Sequence, residues 1–267
     1  MTRSVIARNE MTKQSRIYIA GFQKNSFIDY PGKIASVIFL GGCNFACHYC
    51  HNSDLLTDKS NTINFNKILL ELKEQIGFID GVVITGGEPT LHPHLKTIIK
   101  EIKSLGLLVK LDTNGTNSKI LSELGVDYIA MDIKAPLERY KDIVGSVAIA
   151  SSAMPPRKDV PSVSLRGGQS PTKQSLLEEI KASIDFLKRG TIDYMFRLTL
   201  SPFLDESDIK QVGKLIDGAK CFQLQQFVPN DFSNSHATVH LPHSAQTAKK
   251  FELLLSKHCE KVVMRGF

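Results

Sequence analysis

The order in which strand-like and helix-like segments alternate limits the folds open to this chain more than any other feature. Short apolar runs rich in β-branched residues predict six strands, at 36–40, 81–84, 107–112, 127–133, 194–200 and 222–228. Amphipathic segments between them predict helices at 66–76, 95–104, 118–124, 175–189 and 205–216, with another at 245–258 before a short terminal apolar run. Such alternation predicts a parallel sheet with right-handed crossovers. We therefore expect an α/β fold in which six βα units form a partial barrel.

Three of the five cysteines lie within eight residues, directly after the first predicted strand. Cys43, Cys47 and Cys50 have the spacing Cys-x3-Cys-x2-Cys and follow Gly41 and Gly42. Three thiolates on a short loop can hold one face of a metal–sulfur cluster, and glycines let the backbone approach it closely. Three protein ligands for a four-iron cluster leave one iron open, as a site that must bind a substrate or cofactor requires.

Polar segments recur where later predicted strands end. Each one alone is compatible with an ordinary turn or helix start. In barrels of parallel strands, catalytic residues gather at the carboxyl ends of the strands. The recurrence therefore predicts one site that combines the cysteine loop with residues 85–89 (Thr-Gly-Gly-Glu-Pro), 112–115 (Asp-Thr-Asn-Gly) and 131–134 (Met-Asp-Ile-Lys).

The cysteine spacing, with Tyr49 just before the third cysteine, resembles the signature of the radical S-adenosylmethionine (SAM) superfamily. The resemblance implies a partial (β/α)6 radical-SAM barrel. It also implies a [4Fe-4S] cluster held by Cys43, Cys47 and Cys50, with SAM as cofactor and Tyr49 beside it.

Further contacts with SAM are implied by the same resemblance. Gly86, Gly87 and Glu88 would contact its amino group, through a backbone carbonyl and the acidic side chain. Lys134 would meet its carboxylate.

The resemblance also gives roles to the segments after the third and fourth strands. Asp112, Thr113 and Asn114 would lie near the ribose and methionine ends of SAM. In related activating enzymes the carboxylates equivalent to Asp112 and Asp132, with Thr113 and the backbone of Met131, also hold a monovalent cation.

Arg197 is a further candidate, on the fifth predicted strand. It alternates with Thr199, as a pair facing the barrel interior would. A corresponding arginine lies near the active site of the resembled family, so we expect Arg197 to contact the cofactor. A structural ion pair is the alternative.

A narrower resemblance extends over residues 21–228, apart from an interruption described below. The segments 27–33, 42–45, 50–52, 112–115, 131–136 and 225–229 are similar to the activating proteins of anaerobic ribonucleoside-triphosphate reductase. That family makes a 5′-deoxyadenosyl radical, which takes a hydrogen atom from one backbone glycine of the partner reductase. The implied partners are this reductase and a flavodoxin- or ferredoxin-type electron donor. No cysteine lies between Cys50 and Gly86, so the ferredoxin-like insert of other glycyl-radical activating enzymes is missing.

Two alternatives remain open. One is a radical SAM enzyme with a small substrate, such as 7-carboxy-7-deazaguanine synthase, although the Gly-Glu-Gly loop usual in that enzyme is missing here. The other is a zinc-stabilised binding module with His48 or His51 as fourth ligand. Zinc sites, however, normally use Cys-x2-Cys pairs spread along the chain.

The formal charge of +6 comes from two segments that look least like folded protein. Residues 1–16 and 146–174 each contribute +3 and lack amphipathic periodicity, and the tetrapeptide Thr-Lys-Gln-Ser occurs in the first, at 12–15, and at the end of the second, at 172–175. The second holds four prolines among many serines. We expect a disordered basic extension at 1–16 and a domain at 17–267 interrupted by a flexible insertion at 146–174. Solvated extensions of this kind do not indicate nucleic-acid binding.

Other features predict a cytoplasmic protein. No apolar run approaches 18 residues, and residues 1–16 lack the apolar core of a signal peptide, so no membrane association is expected. Clustered cysteines in odd number fit a reducing compartment, which leaves Cys221 and Cys259 as free thiols. The histidines of an Asn/Ser/Pro-rich stretch, His236, His240 and His243, are interpreted as parts of a polar loop.

Overall fold

One sheet of eight strands organises the molecule. The computed structural model describes residues 19–47, 49–50, 62–145, 173–229 and 241–267. Within these residues the strands follow one another across the sheet in sequence order: β1 (Ile19–Tyr30), β2 (Lys33–Leu40), β3 (Gly81–Gly86), β4 (Leu108–Thr113), β5 (Tyr128–Asp132), β6 (Asp193–Leu200), β7 (Ala219–Gln226) and β8 (Cys259–Arg265). Strands β2 to β8 are parallel, and β1 pairs antiparallel with β2. This architecture confirms the predicted α/β fold and its open, partial barrel.

Helices connect the parallel strands and cover the outside of the sheet. Among the described residues they are α1 (Phe65–Glu74), α2 (Leu95–Ser104), α3 (Ser118–Leu121), α4 (Tyr140–Val144), α5 (Lys173–Lys188), α6 (Glu206–Leu215) and α7 (Ala245–Leu255). Side-chain capping fixes where a helix begins, as α6 shows. Asp205 caps α6 by accepting from the Asp208 amide, and the Asp208 side chain accepts from the Asp205 amide in return. The predicted apolar stripe of α5 is confirmed as core, because Ile180 and Ile184 are fully buried.

The two faces of the sheet bury different residues because side chains alternate along each strand. The outer face, with Ile38, Ile84 and Leu111, joins the helices in the main core. The inner face holds a separate apolar cluster at its base, which includes Val37 and Val83. Toward the carboxyl ends of β4 and β5 the inner face becomes polar, at the end of a parallel barrel where ligand-binding side chains usually gather.

Strand β1 was not predicted. Its sequence mixes Gly21, Lys24 and Asn25 with apolar residues, and its pairing with β2 contains several register irregularities. Such bulges break the period-two alternation from which a strand is recognised. The terminal apolar run, in contrast, forms β8.

The two end strands of the sheet are bridged by one ion pair. Arg265, on β8, donates from Nη2 to Asp29 Oδ1 on β1 at 3.3 Å, across 236 positions of sequence. Asp29 also accepts a hydrogen bond from Ser26 Oγ at 2.7 Å. The open side of the barrel is thus spanned here by side chains.

Both basic segments lie largely outside the described residues. The predicted extension at 1–16 does so completely, and the predicted insertion at 146–174 does so except for its last two positions, where α5 begins. No helix in the part of the chain that the structure describes is long and apolar enough to cross a membrane.

Candidate active site

A cavity of about 350 Å³ is lined by residues from the carboxyl ends of the strands and by inner-face residues below them. Twelve of the thirteen predicted site residues line it: Cys43, Cys47, Tyr49, Cys50, Gly86, Gly87, Asp112, Thr113, Asn114, Asp132, Lys134 and Arg197. The structure therefore brings together residues from five loops or strands that are far apart in sequence. Glu88 is the exception.

The cysteine loop leaves β2 and is held by backbone hydrogen bonds. The Cys50 amide donates to the Cys47 carbonyl at 3.1 Å, and the Ala46 amide donates to the Val144 carbonyl at the end of α4 at 2.9 Å. Burial raises the pKa of the Cys43 thiol to about 12 and that of Cys47 to about 11. Metal binding to these thiols replaces their protons, as iron–sulfur ligation requires.

Gly86 and Gly87 hold the next loop directly against the cysteine loop. The Gly87 amide donates to the Leu40 carbonyl at 2.8 Å, and the Glu88 amide donates to the Gly42 carbonyl at 2.9 Å. A Cβ atom at position 87 would lie 1.9 Å from the Gly42 carbonyl oxygen. Only glycine permits this approach, so the two loops form one backbone-lined wall.

The Glu88 carboxylate is buried behind that wall. Its Oε1 accepts from the Thr90 amide at 3.0 Å and from the hydroxyls of Thr90 and Thr113 at 2.6 and 2.7 Å. Its Oε2 accepts from the Asn114 amide at 2.6 Å. Burial raises the pKa of Glu88, although these hydrogen bonds oppose the shift.

The predicted contact between the Glu88 side chain and the cofactor amino group stays a prediction. Glu88 is not among the residues that line the cavity. Its carboxylate oxygens accept hydrogen bonds from donors on the loop after β3 and at the end of β4. Glu88 therefore joins the loop after β3 to the end of β4.

Five charged side chains form a network along the cavity floor. Arg197 Nε donates to Asp132 Oδ1 at 2.7 Å, and Arg197 Nη1 donates to Asp112 Oδ2 at 2.9 Å. Lys134 Nζ donates to Asp132 Oδ2 at 2.8 Å, and Lys110 Nζ donates to Asp112 Oδ1. Burial alone would raise the pKa of Asp132, but Arg197 and Lys134 hold it well below its ordinary value. Arg197 thus makes the ion pairs of the structural alternative while also lining the cavity.

Lys110 was not among the site residues predicted from the sequence. Only about 2% of its side chain is exposed, and burial lowers its pKa although Asp112 opposes the shift. A lysine inside a predicted strand, two positions before Asp112 and so on the same face, was the available signal.

The network does not fit the expected monovalent cation. All four oxygens of Asp112 and Asp132 are paired with protein cations. The Thr113 hydroxyl donates to Glu88 and accepts from the Gly115 amide at 3.1 Å. The side-chain oxygens of Asp112, Asp132 and Thr113 are therefore engaged by the protein itself.

Other features of the cavity fit a cluster with a bound cofactor. Three thiols line one cavity, and the Tyr49 hydroxyl is buried without a hydrogen-bond partner among the described residues. Asn114 Nδ2 donates to Asn44 Oδ1 at 2.8 Å, which ties the end of β4 to the cysteine loop. An unsatisfied buried hydroxyl costs free energy, so a polar ligand in the cavity would stabilise it.

The zinc alternative gains no support. Within the described ranges, no group of three Cys, His, Asp or Glu side chains could hold a single metal ion. His48 and His51 lie outside those ranges. The thiols are thus arranged differently from a compact site with zinc–sulfur distances of about 2.3 Å.

Of the remaining candidates, His243, Cys221 and Cys259 are described by the structure and do not line the cavity. His243 Nε2 is 3.2 Å from the Ser201 carbonyl oxygen, while His236 and His240 lie outside the described residues. Cys221 and Cys259 are partly buried free thiols on β7 and β8.

Comparisons with known proteins agree with this geometry. A family model described as the radical SAM superfamily matches residues 37–216, which include the cysteine loop and the charged network. A Methanocaldococcus jannaschii protein is 29% identical over 254 residues, covering 92% of this chain and 95% of its own length; its provisional name is glycyl-radical enzyme activating enzyme. The 7-carboxy-7-deazaguanine synthase of Neisseria meningitidis serogroup B is 36% identical over 104 residues, 39% of this chain and 45% of that protein. The crystal structure of Streptococcus suis SuiB bound to SAM shares the fold, with a TM-score of 0.58 at 10% identity over 84% of this chain and 48% of that one.

Proposed function

The chain belongs to the radical SAM superfamily, and from this premise we propose that it activates a glycyl-radical enzyme, with anaerobic ribonucleoside-triphosphate reductase as the partner. Membership of the superfamily makes it an enzyme whose cofactors are a [4Fe-4S] cluster and SAM. The activating role is supported chiefly by the resemblance to the M. jannaschii protein over almost the full length of both chains. The narrower motifs described above support the choice of reductase.

The cluster would be held by Cys43, Cys47 and Cys50, since their thiols share one wall of the cavity. Because these cysteines would supply only three thiolates to a four-iron cluster, one iron would remain open for the cofactor. When bound and reduced, the cluster supplies the electron that splits SAM into methionine and a 5′-deoxyadenosyl radical.

The rest of the cavity would position SAM. Gly86 and Gly87 present backbone groups to it, and Lys134 presents a cation that can pair with the SAM carboxylate. The Lys134 amide donates to the buried Tyr140 hydroxyl at 3.2 Å, which fixes the base of this side chain. Glu88 acts indirectly, by holding Thr113 and Asn114 in place.

In the partner reaction, SAM held in this cavity would supply the 5′-deoxyadenosyl radical that takes a hydrogen atom from the Cα of one glycine of the reductase. The products would be 5′-deoxyadenosine and a glycyl radical, with one electron per turnover from a flavodoxin- or ferredoxin-type protein. This chain has no cysteine between Cys50 and Gly86 for a ferredoxin-like insert. The electron would therefore enter the single cluster directly.

The experiment is anaerobic incubation of the reconstituted protein with reductant, SAM and the reductase, followed by electron paramagnetic resonance. We expect a glycyl radical that requires all components and is lost in Cys47→Ala. A reductase in which the radical glycine is replaced by alanine is the matched control.

The second candidate is a radical SAM enzyme with a small substrate, favoured by the local match to 7-carboxy-7-deazaguanine synthase. Formation of methionine and 5′-deoxyadenosine without any protein radical, across the candidate reductases, would favour it. A protein that binds zinc and lacks the absorption of an iron–sulfur cluster after reconstitution would exclude both enzymes.

A further inference from the structure

Arg197 lies between the two carboxylates of the cavity floor. Asp132 on β5 is the register partner of Arg197 on β6, and Asp112 projects from the end of β4 on the far side of β5. The guanidinium donates from Nε to one carboxylate and from Nη1 to the other. A planar group with several fixed N–H directions can bridge two carboxylates in this way, whereas a lysine ammonium lacks that fixed geometry.

The remaining oxygen of each carboxylate is also paired. Lys110 takes that of Asp112, and Lys134 takes that of Asp132. The network thus holds three positive and two negative side chains, all at most about one quarter exposed. A further cation would meet a surplus of positive charge in a poorly solvated place, where repulsion is weakly screened.

The arrangement also leaves Lys134 able to form an ion pair with a carboxylate of a bound ligand. If Lys134 Nζ turns toward a carboxylate in the cavity, Asp132 keeps its bond to Arg197. A buried carboxylate that lost its only cation would instead be strongly destabilised. Because Asp132 pairs with both Arg197 and Lys134, Lys134 can move to a ligand carboxylate without leaving Asp132 unpaired, and ligand binding does not carry that cost.

We propose that Arg197 is the built-in cation of this site, and that SAM binding by this chain does not need the sodium or potassium ion expected between Asp112 and Asp132. The inference requires only that SAM binds in this cavity. It is independent of the partner or substrate that the radical attacks.

The test measures the dissociation constant of SAM on the anaerobically reconstituted holoenzyme. Sodium, potassium and tetramethylammonium chlorides are compared at equal ionic strength, with the pH set by an organic buffer. We expect the three constants of the unmodified protein to agree within twofold. A tenfold or greater weakening in tetramethylammonium would overturn the proposal.

Arg197→Ala supplies the second readout. It leaves two carboxylates facing a vacated space, so we expect SAM to bind at least fivefold more tightly in potassium than in tetramethylammonium. Arg265→Ala is the matched control, because Arg265 also lines the cavity and pairs with a carboxylate but lies outside the network. It should create no cation dependence.

A folded Arg197→Ala protein that stays indifferent to the cation would also overturn the proposal. If that variant does not fold, Arg197→Gln tests the same point, since it removes the charge but keeps more of the side-chain volume, and the same cation dependence is expected. Failure of the protein to activate any reductase would leave these binding constants unaffected, so the two proposals fail separately.

Discussion

At the scale of single residues, the Glu88 carboxylate accepts hydrogen bonds from two neighbouring segments of the cavity. Its partners are Thr90 in its own loop and Thr113 and Asn114 at the end of β4. Because Asn114 in turn contacts Asn44 in the cysteine loop, one buried side chain connects three parts of the wall. Substitution at Glu88 should therefore change cofactor geometry without removing an iron ligand.

We expect Glu88→Gln to weaken SAM binding about tenfold while about four irons per chain remain bound. The amide has one acceptor oxygen, and its NH₂ group would face donors at either Thr113 or the Asn114 amide. The measurements are iron content and the SAM dissociation constant. Glu71→Gln is the control, since Glu71 is an exposed residue paired with Lys24. Loss of iron with unchanged SAM binding would contradict this assignment.

Gly87 allows the loop after β3 to pack closely against the cysteine loop. We expect Gly87→Ala to prevent stable cluster assembly and to lower the free energy of unfolding by about 2 kcal/mol or more, because the new Cβ collides with the Gly42 carbonyl. Urea unfolding and iron analysis measure the two effects. Gly106→Ala is the control, because Gly106 has a φ of +79°, which is unfavourable for alanine, but no atom lies within 4 Å of the added Cβ. We expect this variant to lose about 1 kcal/mol of unfolding free energy and to keep its full iron content. Equal effects of both substitutions would show that the contact is unimportant.

At the scale of elements, α4 supports the cysteine loop at the point where the chain leaves for residues 146–172. The Val144 carbonyl accepts from the Ala46 amide, and a Cβ on Gly145 would lie 2.7 Å from the Ala46 oxygen. Gly145 has a φ of +69°, which favours glycine. We therefore propose Gly145 as the boundary between the barrel and the predicted insertion.

We expect the predicted insertion to be dispensable if that boundary is kept. Replacing residues 146–172 by an eight-residue Gly-Ser linker should preserve the melting temperature, the iron content and SAM cleavage without a partner. Closure entropy changes by only about 0.6 kcal/mol per doubling of loop length. The comparison variant, Gly145→Ala in the full chain, should lose iron. A large drop in melting temperature on replacement would show that the segment belongs to the fold.

The sequence predicted elements and site residues unequally, for physical reasons. Cys43, Cys47 and Cys50 could be predicted to share one cavity because they lie on one loop with a spacing typical of cluster ligands. The pairing of Arg197 with Asp112 could not, because it depends on the mutual register of β4, β5 and β6. Strand β1 was missed because its bulges remove the alternation on which prediction relies.

At the scale of the whole molecule, one sheet with two free ends carries all the described strands. The Asp29–Arg265 ion pair spans those ends, but both side chains are about one third exposed. Solvent screening limits a pair of this kind to about 0–1 kcal/mol. The barrel should therefore depend mainly on its ladders and its two apolar clusters.

A double-mutant cycle with Asp29→Asn and Arg265→Gln measures that contribution. We expect a coupling free energy below about 1 kcal/mol in urea unfolding of the apoprotein, decreasing as salt is added. The exposed pair between Lys24 on β1 and Glu71 on α1, at 2.8 Å, is the reference cycle. A coupling above about 3 kcal/mol would mean that the pair closes the barrel as a buried bridge does.

The great sequence separation of Asp29 and Arg265 also determines when their contact forms during folding. Joining two sites 236 residues apart in an otherwise unfolded chain costs about 5 kcal/mol of closure entropy, far more than the pair returns. The contact must therefore wait until the intervening strands have assembled, after the rate-limiting barrier. Its φ-value should lie near zero, so Arg265→Gln would accelerate unfolding while the refolding rate stays the same.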